Sequence, residues 1–341
     1  MSKNYNFIVK VTTGCPGNCK CCRDRQENFK YKNDDKRFFD IGVFEKICKN
    51  IKKLGGSYIC LSGGEPTIVP NIDEYIMIAH KYGLATRINT NGWNVTLENF
   101  SRWLDNGLDQ IVLSLYGVDE ESIIQTRGNK LIYDRSMRAI QVVKKLKEKY
   151  NFIFIIQTII MKDTYKQMDK ILDVAIDSGV NLFWPSYLED AVNLSDIRMT
   201  KLEIDDFKEN IIPKMKDVIL SKKLNKSMED KLLKSLDTYY NDGIEDYIYH
   251  EDGFNCHWAG QHFTFYPNGV IDPCPGHEYF KSEYQYKIDY NDIDDFMKLE
   301  NLEKVKNVCF DYCKYCPQGC HHEISFMDDN FNEHDSKEEI K

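Results

Sequence analysis

Two periodicities of apolar positions alternate along the first half of the chain. A β-rich run at 7–11 is followed by Phe44, Ile47, Cys48, Ile51 and Leu54 at helical spacing. A second run at 58–61, entered through Gly55-Gly56, precedes the stripe Ile72, Tyr75, Ile76, Ala79 and Tyr82. Runs at 85–89, 111–115, 152–160 and 181–184 predict four more strands. The helices between and after them are marked by Leu97, Phe100 and Leu104, by the amphipathic stretch 131–146, and by Met168, Ile171, Leu172 and Ala175. The stretch 152–160 is nearly all apolar, as a parallel strand covered on both faces should be. A helix around 204–220 closes the sixth strand–helix unit. Alternation of this kind predicts parallel strands with helices outside. Six units are too few for a closed eight-stranded barrel. The expected class is therefore α/β: a partial (β/α)6 TIM-like barrel with a small C-terminal cysteine-rich α+β domain.

The expected organisation is a barrel core at 1–195 and a charged helical bridge at 196–250. An auxiliary domain at 251–325 follows, where the texture turns to Gly, Pro, Cys, His and aromatics. The polar tail 326–341 completes the chain. Of 341 residues, 42% are hydrophobic and 29% charged, enough to bury a sizeable core. A net charge of −9 argues against general nucleic-acid binding. No apolar run is long enough to span a bilayer, and there is no signal region or lipidation motif. A cytoplasmic location without a membrane partner is the default expectation.

Cysteine usage changes that ordinary picture. Of twelve cysteines, four lie within 15–22 and six within 256–320. Clustered thiols in a reducing compartment point to metal or redox chemistry rather than disulfides. Cys48 on a helical stripe and Cys60 in a strand read as buried, inert thiols.

The first cluster, Cys15-Pro-Gly-Asn-Cys19-Lys-Cys-Cys22, directly follows the first strand. C-x3-C-x2-C puts three thiolates on one loop, a donor set suited to iron–sulfur clusters. Three protein ligands leave one iron of a four-iron cluster open to a small molecule. The competitor is a structural zinc site, which prefers four ligands in paired knuckles. Cys21 reads as a small packing residue.

Further motifs follow the other strands. Leu61-Ser-Gly63-Gly64-Glu65-Pro66 is, taken alone, a turn. So is Thr90-Asn91-Gly92. Ser114-Leu-Tyr-Gly117 ends the fourth strand, and Arg127-Gly128 comes after it; the plain reading of Arg127 is a solvated arginine at a helix start. Gln157 is polar within an apolar run, either a satisfied core amide or a ligand contact. The strand-end motifs share the C-terminal face on which barrel enzymes build active sites.

On these residues the chain resembles the radical S-adenosylmethionine (SAM) superfamily. The resemblance implies a 4Fe–4S cluster on Cys15, Cys19 and Cys22, with one iron open to SAM. It implies that Gly63, Gly64, Glu65 and Pro66 meet the amino group of SAM's methionine, and that Asn91 lies near SAM. Ser114 and Arg127 would hold its carboxylate, with Gln157 a further candidate contact. The implied chemistry is reductive cleavage of SAM to a 5′-deoxyadenosyl radical that abstracts a substrate hydrogen. The family usually has an aromatic residue just before the third cysteine; this chain has Cys21.

In the second cluster, Cys256 and Cys274 precede Cys309-x3-Cys313-x2-Cys316-x3-Cys320. The stretch 263–274 reads as a β-hairpin ending on a thiolate, and a zinc ribbon is the competitor. The arrangement is similar to SPASM or twitch domains, which bind auxiliary iron–sulfur clusters. It departs from the full SPASM spacing, with no cysteine after Cys320. The expectation is at least one auxiliary cluster, on Cys256, Cys274 and two of the later four.

The resemblance makes a ribosomally made peptide or protein the leading substrate, oxidised or crosslinked. An electron donor such as flavodoxin or ferredoxin is implied. About six residues precede the first strand, so a separate leader-peptide-binding protein or direct recognition is expected. The alternatives are radical dehydrogenation of a small molecule such as an aminocyclitol, and a non-catalytic iron–sulfur or zinc protein. Trp184, Tyr187, His262 and His277 are aromatic or basic candidates for a substrate surface, though each also suits packing or solvent. No catalytic acid or base is assigned.

Overall fold

The computed structural model describes residues 5–22, 38–187, 195–241, 262–273 and 286–305. Six parallel strands run in sequence order: β1 (Asn6–Thr12), β2 (Tyr58–Gly63), β3 (Ala85–Thr90), β4 (Gln110–Ser114), β5 (Ile153–Ile160) and β6 (Leu182–Tyr187). Helices α1 (Ile41–Lys53), α2 (Ile72–Lys81), α3 (Leu97–Asp105), α4 (Glu120–Arg127), α5 (Leu131–Lys147) and α6 (Met168–Asp177) connect or follow them. The fold is α/β with an open sheet, as the partial-barrel expectation requires.

Local chemistry sets the element ends. Asp40 caps α1 by accepting from the Val43 N–H at 2.8 Å, and Phe44, Ile47, Cys48 and Ile51 bury one face. Gly55, at φ +78°, then turns the chain toward β2. Thr96 caps α3 in the same way. The strands alternate their faces. Phe7, Val9, Ile59, Leu61, Ile88, Ile111, Leu113, Phe154, Ile156 and Phe183 pack outward in one core under the helices. Each such side chain stabilises the fold by ~1.5–3 kcal/mol through burial. The residues between them, including Lys10, Arg87, Gln110, Ser114, Gln157 and Trp184, share the concave inner face.

Helix α4 was not expected. Its residues lack a clear apolar stripe, and it is nucleated instead by a capping box between Asp119 and Ser122. It ends on Gly128 at φ +65°. Arg127 therefore lies in the last turn of a helix and is only 4% exposed, which corrects its reading as a solvated helix-start arginine.

After β6 the chain continues through α7 (Lys201–Asp206), a π-helical segment (Phe207–Ile211), α8 (Ile212–Ser221) and α9 (Lys226–Asn241). Pro213, which has no N–H to donate, sits just after the π segment. Helix α8 packs between α6 and α9. The expected hairpin is present as β7 (His262–Phe265) and β8 (Val270–Asp272), with β9 (Tyr286–Lys287) beyond it. It joins the barrel sheet, because β7 pairs parallel to β1 from Asn6↔His262 to Val9↔Phe265. Phe7 stacks on Phe263 at 5.9 Å across that pairing. The short helix α10 (Ile293–Phe296) packs on α1.

The ligand candidates Cys256, Cys274, Cys309, Cys313, Cys316 and Cys320 lie outside the described residues, as do His277 and the tail 326–341. Among the described residues no helix is long and apolar enough to cross a membrane.

Candidate active site

The C-terminal ends of β1 and β2 are joined before any cysteine appears. The Gly64 N–H donates to the Thr12 carbonyl and the Glu65 N–H to the Gly14 carbonyl, each at 2.8 Å. A Cβ on Gly63 would stand 2.3 Å from the Thr12 oxygen, and one on Gly64 would stand 2.2 Å from the Gly14 oxygen. The two glycines thus admit the backbone that leads directly into the cysteine loop.

Glu65 is 1% exposed. Its Oε1 accepts from the Thr67 N–H at 3.1 Å, the Thr67 hydroxyl at 2.6 Å and the Thr90 hydroxyl at 2.5 Å. Its Oε2 accepts from the Asn91 N–H at 2.7 Å. The threonine hydroxyls are polarised toward it, because Thr90 Oγ1 accepts from the Gly92 N–H and Thr67 Oγ1 from the Asn94 N–H. Burial pushes the carboxyl's pKa above the ordinary glutamate range, while the four donors pull against that shift. One side chain therefore ties the Gly-Gly-Glu-Pro segment to Thr90-Asn91-Gly92. Pro66 begins the buried 3-10 turn Pro66–Ile68 that carries Thr67.

The cysteine loop rests on the last turn of α4. The Asn18 N–H donates to the Arg127 carbonyl at 2.7 Å and the Lys20 N–H to the Thr126 carbonyl at 3.1 Å. These are carbonyls that a helix C-terminus leaves without internal partners. Asn129 Nδ2 donates to the Pro16 carbonyl at 2.9 Å, and Lys20 pairs with Asp163 at 2.8 Å.

The thiols have nitrogen donors around them. Cys15 Sγ accepts from the Gly17 N–H at 3.3 Å and from Asn91 Nδ2 at 3.7 Å. Cys19 Sγ accepts from the Arg127 guanidinium at 3.5 Å. A Cβ on Gly17 would lie 3.6 Å from each of the Cys15 and Cys19 sulfurs, so the glycine keeps a cradle open between them. Among the described residues no three His, Cys, Asp or Glu side chains converge closely enough to hold a single metal ion. The ligands of a four-iron cluster bind different irons and need not converge on one point.

Cys21 joins a separate apolar cluster. It packs on the cluster of Tyr116, Met161 and Ile197, and burial pushes its thiol up to about 12. It is a wall residue, as its sequence position suggests.

Arg127 connects these parts. Its guanidinium lies 3.7 Å above the Tyr116 ring, donates to the Ser114 carbonyl, and reaches Cys19. Its Nε is buried without a partner among the described residues. The neighbouring thiols and Tyr116 raise its pKa despite desolvation, so it remains cationic. Ser114 and Gln157 are register partners across β4 and β5, and Trp184 neighbours Gln157 on β6. Asn91, Ser114, Arg127 and the cysteine loop are thus brought to one rim, with Gln157 and Trp184 beside Ser114. Tyr187 ends β6, and His262 begins β7 at the opposite end of the sheet, so His262 is not part of this rim. Sequence reasoning missed the roles of Thr67 and Tyr116. Thr67 stands two residues after a glutamate in a buried turn, the one local signal available for it.

The comparisons agree with this arrangement: residues 9–175 match the model of the Radical SAM superfamily, a family that implies a 4Fe–4S cluster and SAM. Solved structures extend the likeness. Streptococcus suis SuiB bound to precursor peptide SuiA superposes with a TM-score of 0.64 at 19% identity, covering 90% of this chain and 67% of SuiB. Native anSMEcpe with bound AdoMet gives 0.63 at 14% identity, covering 93% of this chain and 89% of the other. At these identities the likeness is one of fold. The thiol donor set, the open cradle at Gly17 and the unpartnered Arg127 Nε fit the group the family implies.

Proposed function

We propose that the chain is a radical SAM enzyme that modifies a peptide or protein. The observation that carries this is the Arg127 guanidinium, which links Cys19, Ser114 and Tyr116 and keeps one buried donor without a partner among the described residues. Cys15, Cys19 and Cys22 would hold the cluster, and a four-iron cluster bound there supplies the electron for reductive SAM cleavage. Arg127 would meet the SAM carboxylate through Nε in a charge-assisted hydrogen bond. The Glu65 carboxylate already has four donors, so the backbone of Gly63 and Gly64 is the part of that motif left for the SAM amino group. Asn91 would hold Cys15 from the rim. Tyr116, Cys21 and Met161 form an apolar wall that excludes water from one side. Gln157 and Ser114 would present polar groups from the inner face.

The peptide class is supported by SuiB and anSMEcpe, which were crystallised with peptides. The finer reading is net oxidation or crosslinking, assisted by at least one auxiliary cluster on the C-terminal cysteines and an electron donor such as flavodoxin. The domain bounds 1–195, 196–250 and 251–325 belong to the same reading. Anaerobic reconstitution, iron counting and SAM cleavage under a strong reductant test the class; a product that has lost no hydrogen would refute the oxidative part. Cys256→Ala with Cys274→Ala is expected to lower the iron content while SAM cleavage persists.

A further inference from the structure

A cavity of about 490 Å³ opens at the N-terminal ends of β3 to β6, opposite the cysteine rim. That volume falls within the ~300–1,000 Å³ typical of small-ligand sites. Helix α9 and the segment before it cover it with Lys223, Leu224, Met228 and Lys231. Its apolar floor includes Ile155, Leu182 and Trp184. Among the described residues the lining includes the cations Arg87, Lys223 and Lys231 and no carboxylate.

Arg87 is the decisive group. It is 7% exposed, and its Nε has no partner among the described residues. Its guanidinium lies 5.2 Å from the Tyr58 ring centre and contacts Cys60. Burial holds Tyr58 well above the ordinary phenol range, so Tyr58 brings no negative charge at neutral pH. Among the described residues no carboxylate lies beside this buried cation, and a perturbed buried charge facing a cavity marks a candidate recognition site.

We propose that this cavity binds a carboxylate carried on an apolar segment of the substrate peptide, as an anchor remote from the reacting atom. The proposal rests on the peptide-modifying reading for its occupant, but not for its chemistry. Ile155 in the cavity wall stands two residues, ~7 Å, below Gln157 on the same inner face. A peptide anchored on Arg87 would have to follow that face to bring a further residue to the cysteine rim. Remote binding of this kind positions substrate without touching the chemistry.

The test uses the full-length protein, anaerobically reconstituted and supplied with SAM, titrated calorimetrically. The probes are acetyl-Leu-Phe-Glu against acetyl-Leu-Phe-Gln, and phenylbutyrate against phenylbutyramide. Each acid is expected to bind at least ~10-fold more tightly than its amide, the scale of a charge-assisted hydrogen bond. Arg87→Met is expected to abolish that preference. Lys223→Glu, an exposed change that leaves the core untouched, is expected to weaken the acids and spare the amides. Equal affinity of acid and amide overturns the proposal, as does a preference that survives both substitutions. Phenylbutyrate binding without the tripeptide overturns the peptide assignment in favour of a small acid. SAM cleavage is followed in the same samples. Cleavage without acid preference sinks this proposal alone, whereas acid preference without cleavage sinks the enzymatic reading and leaves the anion site standing.

Discussion

Glu65 and Arg87 are buried titratable side chains at opposite ends of one sheet, and their surroundings differ. Around Glu65, four donors reach the carboxylate and two of them are polarised by further N–H groups. Around Arg87 there is an aromatic face, a thiol and an open cavity. The first site is complete within the chain and organises the rim. The second has no carboxylate beside it among the described residues and faces the cavity instead. A buried titratable group therefore reports on structure or on recognition according to whether its partners come from the same chain.

The largest expected effect tests whether the two ends are separable. A Cys15→Ala, Cys19→Ala and Cys22→Ala triple variant should lose SAM cleavage below detection and lose the corresponding iron. Its calorimetric preference for acid over amide should survive; loss of both together would join the ends into one site. Next, Glu65→Gln places an amide N–H₂ among converging donors and should lower stability by ~3 kcal/mol, read by chemical denaturation. Arg87→Met should act in the opposite direction, leaving the peptide-free protein as stable or up to ~2 kcal/mol more so, because it removes an uncompensated charge. Equal destabilisation by the two changes would break the comparison.

Gly64→Ala sharpens the rim side. Its Cβ would meet the Gly14 carbonyl at 2.2 Å, and the backbone shift should cost ~2 kcal/mol with loss of iron retention. The smallest effect concerns the helix that presents Arg127. Asp119→Ala should cost ~1 kcal/mol at neutral pH. The Ser122 N–H holds the Asp119 carboxyl below its ordinary value, so this contribution is present above the ordinary aspartate range and lost as pH falls through the folded-state value. Denaturation midpoints of variant and parent should converge in acid.

The six barrel strands were readable because each is a short apolar run bounded by turn residues, and the observed ends differ from the expected ones by only a few residues. The strand-end motifs were readable for the same reason: each follows a strand locally. Helix α4 was not, since Glu120 to Arg127 carry no periodic stripe and depend on a cap. Consequently the depth of Arg127 was hidden. The partner of β7 was hidden as well, because pairing Asn6 with His262 is a tertiary choice that no local pattern encodes. The Arg87 cavity needs α9 as its cover, and a strand arginine gives no local sign of that.

The pairing of β7 with β1 has a consequence for biosynthesis. The strand that carries the cysteine loop is complete on both edges only once residues 262–265 have been made. At ~5–20 residues per second, tens of seconds separate the emergence of the two partners from the ribosome. Closing so long a loop is slow as well as late. The nascent chain therefore carries its cysteine loop on a half-paired strand until residue 265 has been made, an interval in which the thiols of that loop are open to oxidation.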